Sequence, residues 1–128
     1  MVAEKTILVV DDEEPLVLAL KVRLEHHGYH VVTAGDGQEA IQIMQTEKPD
    51  LVILDVMMPV MDGYTCVREL NRCYGKGRVP VIILTARDRM KDLFELESVE
   101  DYMIKPFDHD ELLKRIEQVL QRREAASS

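Results

Sequence analysis

Residues 7–12 read Ile-Leu-Val-Val-Asp-Asp, four apolar residues followed at once by two carboxylates. Three later apolar runs also lead into a polar residue: residues 51–54 into Asp55, residues 81–84 into Thr85 and residues 102–104 into Lys105. Runs that are apolar throughout are typical of parallel strands covered on both faces. In an open α/β sheet the carboxyl ends of such strands form the edge where ligands bind. We therefore expect three carboxylates, a hydroxyl group and an ammonium group to converge at that edge.

Segments with helical periodicity alternate with the apolar runs. The predicted strands are Thr6–Val10, His30–Ala34, Leu51–Leu54, Val81–Leu84 and Tyr102–Ile104. The predicted helices follow them in turn, with apolar stripes around Leu16–Leu24, Ala40–Met44, Tyr64–Arg72, Arg89–Glu97 and Leu112–Leu120. Five strand–helix pairs predict an α/β protein, a doubly wound (βα)5 arrangement with helices on both faces of a parallel sheet and right-handed crossovers.

Length and composition set the class of protein. A chain of 128 residues with 46% hydrophobic and 31% charged residues is typical of one globular domain. We expect that domain to span residues 1–121, with residues 122–128 as a C-terminal tail or the start of a linker. The net charge of −8 argues against direct binding of nucleic acid. No apolar stretch reaches the roughly 18 residues of a membrane span, and the N-terminus lacks the pattern of a signal peptide, so we expect a cytoplasmic protein without membrane partners.

The convergent residues suit one kind of chemistry. Asp11 and Asp12 are oxygen donors of the type that Mg²⁺ prefers, and Asp55 can serve both as a metal ligand and as a nucleophile. Lys105 and the hydroxyl group of Thr85 can then neutralise and hydrogen-bond the oxygens of a phosphoryl group. Each residue alone could be a helix cap or a turn residue. Taken together they indicate metal-assisted phosphoryl transfer to Asp55.

The chain resembles the response-regulator receiver domains of two-component, or phosphorelay, signalling. The motifs that carry the resemblance are Val9-Val10-Asp11-Asp12-Glu13, Leu54-Asp55-Val56-Met57-Met58-Pro59, Met61-Asp62-Gly63, Leu84-Thr85-Ala86-Arg87 and Tyr102-Met103-Ile104-Lys105-Pro106-Phe107. Five separated motifs agree in order and nearly in spacing. The resemblance implies a flavodoxin-like fold with a five-stranded parallel sheet in the order 2-1-3-4-5.

The resemblance also implies a role for each matched residue. Asp55 would accept the phosphoryl group, and Asp11, Asp12, Asp55 and the backbone carbonyl of Met57 would bind Mg²⁺, with Mn²⁺ as a substitute. Lys105 would pair with the phosphoryl group. Thr85 would bond a phosphoryl oxygen, and Tyr102 would move inward behind it as the second switch residue.

The same resemblance implies partners and an activity. The phosphoryl donor would be a sensor histidine kinase or a histidine phosphotransfer protein. Receivers also dimerise through the face made by the fourth helix, the fifth strand and the fifth helix. Such a domain catalyses its own phosphorylation and slow dephosphorylation, yet it is primarily a signalling protein that alters the binding of a partner or an output domain.

Three other readings remain open at this point. A haloacid-dehalogenase-like phosphatase also uses a nucleophilic Asp, Mg²⁺, a Thr or Ser and a Lys, but it has a second Asp two residues after the nucleophile, where this chain has Met57. A receiver-like interaction module that works without phosphorylation would not need the complete acidic set. A flavodoxin-like cofactor protein would need a glycine-rich phosphate loop after the first strand, and residues 11–15 contain no glycine.

Overall fold

The computed structural model describes residues 4–55, 63–74, 79–85, 100–105 and 107–127. The strands are β1 (Thr6–Val10), β2 (His30–Ala34), β3 (Leu51–Asp55), β4 (Val81–Thr85) and β5 (Asp101–Ile104). The helices in this part of the chain are α1 (Glu14–His26), α2 (Gly37–Glu47), α3 (Gly63–Tyr74) and α4 (His109–Ser127). The predicted helix Arg89–Glu97 lies outside the described residues.

All strand pairs are parallel, and the sheet order is β2-β1-β3-β4-β5. This confirms the five-stranded parallel sheet and the predicted order 2-1-3-4-5. β1 lies between β2 and β3, so the change in winding direction occurs beside its carboxyl end. Ligand sites of doubly wound sheets lie at this topological switch point.

The core has two parts, one on each face of the sheet, because side chains alternate along every strand. One cluster joins Ile7, Val9, Ile53, Ile82 and Leu84 of the strands to Leu20 and Leu24 of α1 and to Leu112, Ile116 and Val119 of α4. The other joins Leu8, Val10, Val52, Leu54 and Ile83 to Ala40 and Met44 of α2 and Leu70 of α3. Covering both faces is what requires the strands to be apolar throughout.

Capping and turn residues mark where the helices begin and end. Pro15 lies at the start of α1, where its missing N–H costs no hydrogen bond, and Gly28 follows α1 with φ +91°. Asp36 caps α2 by accepting a hydrogen bond from the Glu39 N–H (2.9 Å). Asp108 likewise accepts from the Asp110 N–H (2.8 Å) at the start of α4.

Several element boundaries differ from the predicted ones: β5 begins at Asp101 rather than Tyr102, and α3 covers Gly63–Tyr74 rather than residues 64–72. Asp55 and Thr85 are the last residues of β3 and β4 rather than the first residues after them. α4 continues to Ser127, six residues beyond the predicted boundary at residue 121. Residues 122–127 are thus helical. The division into a domain of residues 1–121 and a tail of residues 122–128 stays a prediction. Among the described residues, no helix combines the length and the apolar character that crossing a membrane requires.

Candidate functional site

Three carboxylates meet at the carboxyl edge of the sheet. Oxygen atoms of Asp11, Asp12 and Asp55 lie within 4.8 Å of one another. Asp11 and Asp55 are only 3% and 4% exposed, whereas Asp12 is exposed. Such a buried group of negative charges is unfavourable unless a cation lies among them.

Strand register brings these carboxylates together. Val10 pairs with Leu54 across β1 and β3, so the residues that follow them, Asp11 and Asp55, are neighbours at the same edge. The Asp11 N–H donates to the carbonyl oxygen of Ala34 (3.1 Å), which continues the β1–β2 pairing by one residue. The Glu13 N–H donates to Asp11 Oδ1 (2.9 Å). One oxygen of Asp11 is therefore fixed by the backbone, and Oδ2 faces the site.

Lys105 supplies a positive charge to the site. Its Nζ atom lies 3.3 Å from Asp11 Oδ2, 3.3 Å from Asp55 Oδ2 and 3.3 Å from Glu13 Oε1. Lys105 directly follows β5, which pairs with β4 through Thr85 and Ile104. The ammonium group thus bridges from the far edge of the sheet to the carboxylates near its centre.

The environment changes the protonation of two site residues. Burial, reinforced by the negative charge of Asp55, raises the pKa of Asp11 to about 6, although the hydrogen bond from Glu13 and the charge of Lys105 act in the opposite direction. Burial alone would lower the pKa of Lys105, but Asp11 and Asp55 raise it above its ordinary value. The charged form of Lys105 is therefore favoured, and its ammonium group is shared by the carboxylates of Asp11, Asp55 and Glu13.

The structure brings some of the predicted site residues together and leaves others apart from the cluster or undescribed. Asp11, Asp12, Asp55 and Lys105 lie together as the strand ends predicted. Thr85 is the last residue of β4, and its register partner Ile104 immediately precedes Lys105. Tyr102 is half-buried and packs against the core cluster that contains Leu8 and Val10. Met57, whose carbonyl was predicted as a metal ligand, lies outside the described residues.

Glu13 is a site residue to which the sequence reasoning gave no role. It occurs in the sequence as the third of four consecutive acidic residues, Asp11 to Glu14. The acidic run was visible, but the contact with Lys105, 92 residues away, appears only when β5 is placed in the sheet.

Comparison with known proteins agrees with this geometry. The family model described as "Response regulator receiver domain" matches residues 7–117. The chain is 46% identical over 125 residues to the alkaline phosphatase synthesis transcriptional regulatory protein PhoP of Bacillus subtilis, covering 96% of this chain and 51% of that protein. It is 47% identical over 123 residues to the "Probable transcriptional regulator ycf27" of Cyanophora paradoxa, covering 94% of this chain and 50% of that protein. The chain thus spans about half the length of these curated relatives.

Solved structures show the same fold. A CheY-like response regulator receiver domain protein from Methanospirillum hungatei superposes with a TM-score of 0.90 at 24% identity, covering 97% of this chain and 99% of that one. The response regulator protein TrrA from Thermotoga maritima, in complex with Mg(2+)-BeF, has a TM-score of 0.80 at 33% identity, covering 89% of this chain and 97% of that one. Because the family model matches residues 7–117, which are most of the chain, this chain belongs to the response regulator receiver domain family.

Proposed function

We propose that this chain is a phosphoacceptor signalling switch that takes a phosphoryl group from a histidine kinase or a histidine phosphotransfer protein onto Asp55. The observation that carries the proposal is the pairing of Asp55 with Lys105. Asp55 is 4% exposed at the sheet edge, and its Oδ2 lies 3.3 Å from the Lys105 ammonium group. A carboxylate in this position can attack phosphorus, while the ammonium group offsets the negative charge that the phosphoryl group brings.

The proposed reaction is one displacement at phosphorus. An oxygen of Asp55 forms a new P–O bond while the P–N bond of the phosphohistidine donor breaks. The donor imidazole nitrogen keeps the electron pair of that bond and takes up a proton. The product is an acyl phosphate on Asp55, with Lys105 paired to a phosphoryl oxygen.

We propose that Asp11, Asp12 and Asp55 hold Mg²⁺, or Mn²⁺ in its place, together with the backbone carbonyl of Met57. The donor set fits, because all three side chains offer oxygen atoms within 4.8 Å and two of them are buried together. The relative TrrA was solved with Mg(2+)-BeF, which supports the same ion here. When bound, the metal ion neutralises charge on the carboxylates and the phosphoryl oxygens.

Thr85 and Tyr102 are the proposed switch residues. The Thr85 hydroxyl group would donate a hydrogen bond to a phosphoryl oxygen, and Tyr102 would move inward behind it. Two observations support this pairing: Thr85 ends β4 beside the residue that precedes Lys105, and Tyr102 pairs in register with Ile83, two positions before Thr85. A change at the phosphoryl group can thereby shift the population of two conformations of this edge.

The proposed partners follow from the relatives and the charge of the chain. The curated relatives are named as transcriptional regulators and are about twice as long as the matched region, so we propose that this domain controls an output domain or a partner protein. A second receiver would dock on the face made by β5, α4 and the predicted helix Arg89–Glu97. With a net charge of −8, the domain itself would not bind nucleic acid, and we propose that it acts in the cytoplasm.

Phosphorylation with a small donor tests the proposal. The protein is incubated with Mg²⁺ and acetyl phosphate, and intact-mass spectrometry follows the gain of one phosphoryl group. Wild type should gain it, Asp55→Ala should not, and Asp110→Asn, which alters an exposed aspartate on α4, should behave as wild type. After the donor is removed, the group should persist on the wild-type protein.

Three results would contradict the proposal. A wild type that gains no phosphoryl mass would exclude a phosphoacceptor. An Asp55→Ala variant that still gains it would exclude Asp55 as the acceptor residue. Immediate loss of the group, with sustained turnover of the donor, would favour the phosphatase reading instead.

A further inference from the structure

Lys105 is shared among three carboxylates that are not equivalent. Its ammonium group has three N–H donors, and the three acceptor oxygens of Asp11, Asp55 and Glu13 all lie 3.3 Å from Nζ. Asp11 and Asp55 also belong to the buried carboxylate cluster. The Glu13 side chain is 60% exposed and is not part of that cluster as found among the described residues.

This difference matters when a divalent cation enters the cluster. A cation that binds Asp11 and Asp55 competes with the Lys105 ammonium group for the same oxygens and repels it. The contact with Glu13 is the one that Lys105 can keep, because Glu13 does not need to turn toward the cation.

The space beside Lys105 allows such a shift. A cavity of about 370 Å³ is lined by Glu13, Leu16, Lys105, Phe107 and His109. The ammonium group can move toward this cavity without losing its ion pair, since Glu13 and Lys105 both line it.

We propose that Glu13 is a positioning residue for Lys105, which holds the ammonium group when a divalent cation takes the carboxylates of Asp11 and Asp55. The inference rests on the proposed function, because it assumes that Mg²⁺ binds this cluster. Glu13 lowers the cost of metal binding by keeping Lys105 paired after its contacts with the two aspartates weaken.

Mg²⁺ titration by isothermal calorimetry, with no phosphoryl donor present, tests this role. Glu13→Gln should raise the Kd for Mg²⁺ by about two- to five-fold, the size that an ion pair with one exposed partner can supply. The matched control is Glu14→Gln, which removes the same charge from the neighbouring exposed position. In the described part of the chain, no hydrogen bond or ion pair of the Glu14 side chain is found, so its loss should change Kd by less than about two-fold.

A double-mutant cycle with Lys105 separates positioning from simple loss of charge. Lys105→Met should by itself tighten Mg²⁺ binding, because it removes a competing cation. In the Lys105→Met background, Glu13→Gln and Glu14→Gln should have equal effects, since no ammonium group remains for Glu13 to hold. Circular dichroism spectra of all variants confirm that they are folded.

Each outcome bears on one claim. Equal Kd values for Glu13→Gln and Glu14→Gln in the wild-type background would overturn the inference, as would a Glu13→Gln penalty that persists unchanged without Lys105. A wild-type protein that binds no Mg²⁺ would overturn the proposed metal site itself, and this inference with it.

Discussion

At the scale of single residues, Asp11 shows how the fold prepares a site for a cation. It is 3% exposed, one of its oxygens is fixed by the Glu13 N–H, and burial raises its pKa from an ordinary 3.8 to about 6. Above that pKa the folded protein carries a buried charge that the unfolded chain would leave in water. The charge of Asp11 therefore lowers the free energy of unfolding when no metal ion is present.

Replacing this charge should stabilise the metal-free protein. Asp11→Asn keeps an oxygen that can accept from the Glu13 N–H but removes the buried charge, so we expect a gain of about 1–3 kcal/mol in the free energy of unfolding at pH 8. The folded-state pKa is raised, so the gain should be absent near pH 4, increase as the pH rises through about 6 and stay constant above it. Urea unfolding at several pH values without divalent ions measures this.

The control for this prediction is Asp12→Asn, which alters an exposed member of the same cluster and should change stability less. A gain for Asp11→Asn that is the same at pH 4 and pH 8, or a loss at pH 8, would contradict the assigned cause. Adding Mg²⁺ should raise the Tm of wild type and leave that of Asp11→Asn nearly unchanged.

The sequence predicts the site residues that lie at strand ends. It does not predict contacts that a side chain makes with a residue distant in the sequence. Asp11, Asp55 and Lys105 follow apolar runs, and parallel pairing then brings them to one edge. Glu13 and Asp50 also carry carboxylates, but their partners Lys105 and Thr6 are 92 and 44 residues away in the sequence. Nothing in the local pattern distinguishes such residues from solvated surface carboxylates.

At the scale of elements, Asp50 links β1 to β3. It directly precedes β3 and forms hydrogen bonds with Thr6, the first residue of β1. Its Oδ2 accepts a hydrogen bond from the Thr6 N–H, and its own N–H donates to the Thr6 carbonyl oxygen, both at 2.8 Å. The first residue of β1 is therefore held through both of its backbone groups. This fixes the register that later places Asp11 beside Asp55.

Removing that side chain should loosen the amino end of β1. Asp50→Ala leaves the half-buried Thr6 N–H without its acceptor, and we expect a loss of about 1–2 kcal/mol in the free energy of unfolding. Asp50→Asn keeps an acceptor oxygen and should lose less. Urea unfolding gives the difference, and amide hydrogen exchange at Thr6 should accelerate in Asp50→Ala. Equal stability of the two variants would show that the hydrogen bond is not the cause.

The end of α2 carries backbone strain that the sequence does not reveal. Lys48 adopts a left-handed conformation (φ 47°, ψ 61°), which is unfavourable for a residue with a Cβ atom, and Pro49 follows it directly. Glycine is the residue that usually occupies such a helix end, as Gly28 does after α1. The apolar stripe around Ala40–Met44 predicted the helix, but nothing in the sequence predicted the conformation of Lys48.

Lys48→Gly should relieve this strain. We expect the free energy of unfolding to rise by about 0.5–1 kcal/mol, with an unchanged dependence on urea concentration. Gln45→Gly provides the opposite control, because Gln45 is exposed inside α2 and glycine there should cost about 1 kcal/mol. A destabilised Lys48→Gly variant would mean that the lysine side chain contributes more than its conformation costs.

At the scale of the whole molecule, the two core clusters hold the sheet between helices, and the buried residues described in α4 belong to the cluster that contains Ile7 and Val9. Residues 122–128 were predicted as a C-terminal tail or the start of a linker. In the structure α4 continues to Ser127, and Arg123 and Glu124 form ion pairs with Glu100 (2.6 Å) and Lys5 (3.3 Å). These partners are distant in sequence. The periodicity of apolar residues therefore predicted a helix only as far as its apolar face, which ends at Leu120.

Truncation distinguishes the part of α4 that the fold requires from the part that only extends it. A chain ending at Gln121 loses the two partly exposed ion pairs and one helical end, and we expect it to unfold cooperatively with a loss of about 1–2 kcal/mol. A chain ending at Gln118 also loses Val119 and Leu120, which are 1% and 8% exposed, and should lose about 3–5 kcal/mol. For a domain whose total stability is about 5–15 kcal/mol, the second loss approaches global unfolding. Thermal and urea unfolding of the two chains measures both values. If the chain ending at Gln121 were as unstable as the chain ending at Gln118, the last turns of α4 would belong to the folding unit, and the domain limit at residue 121 would be wrong.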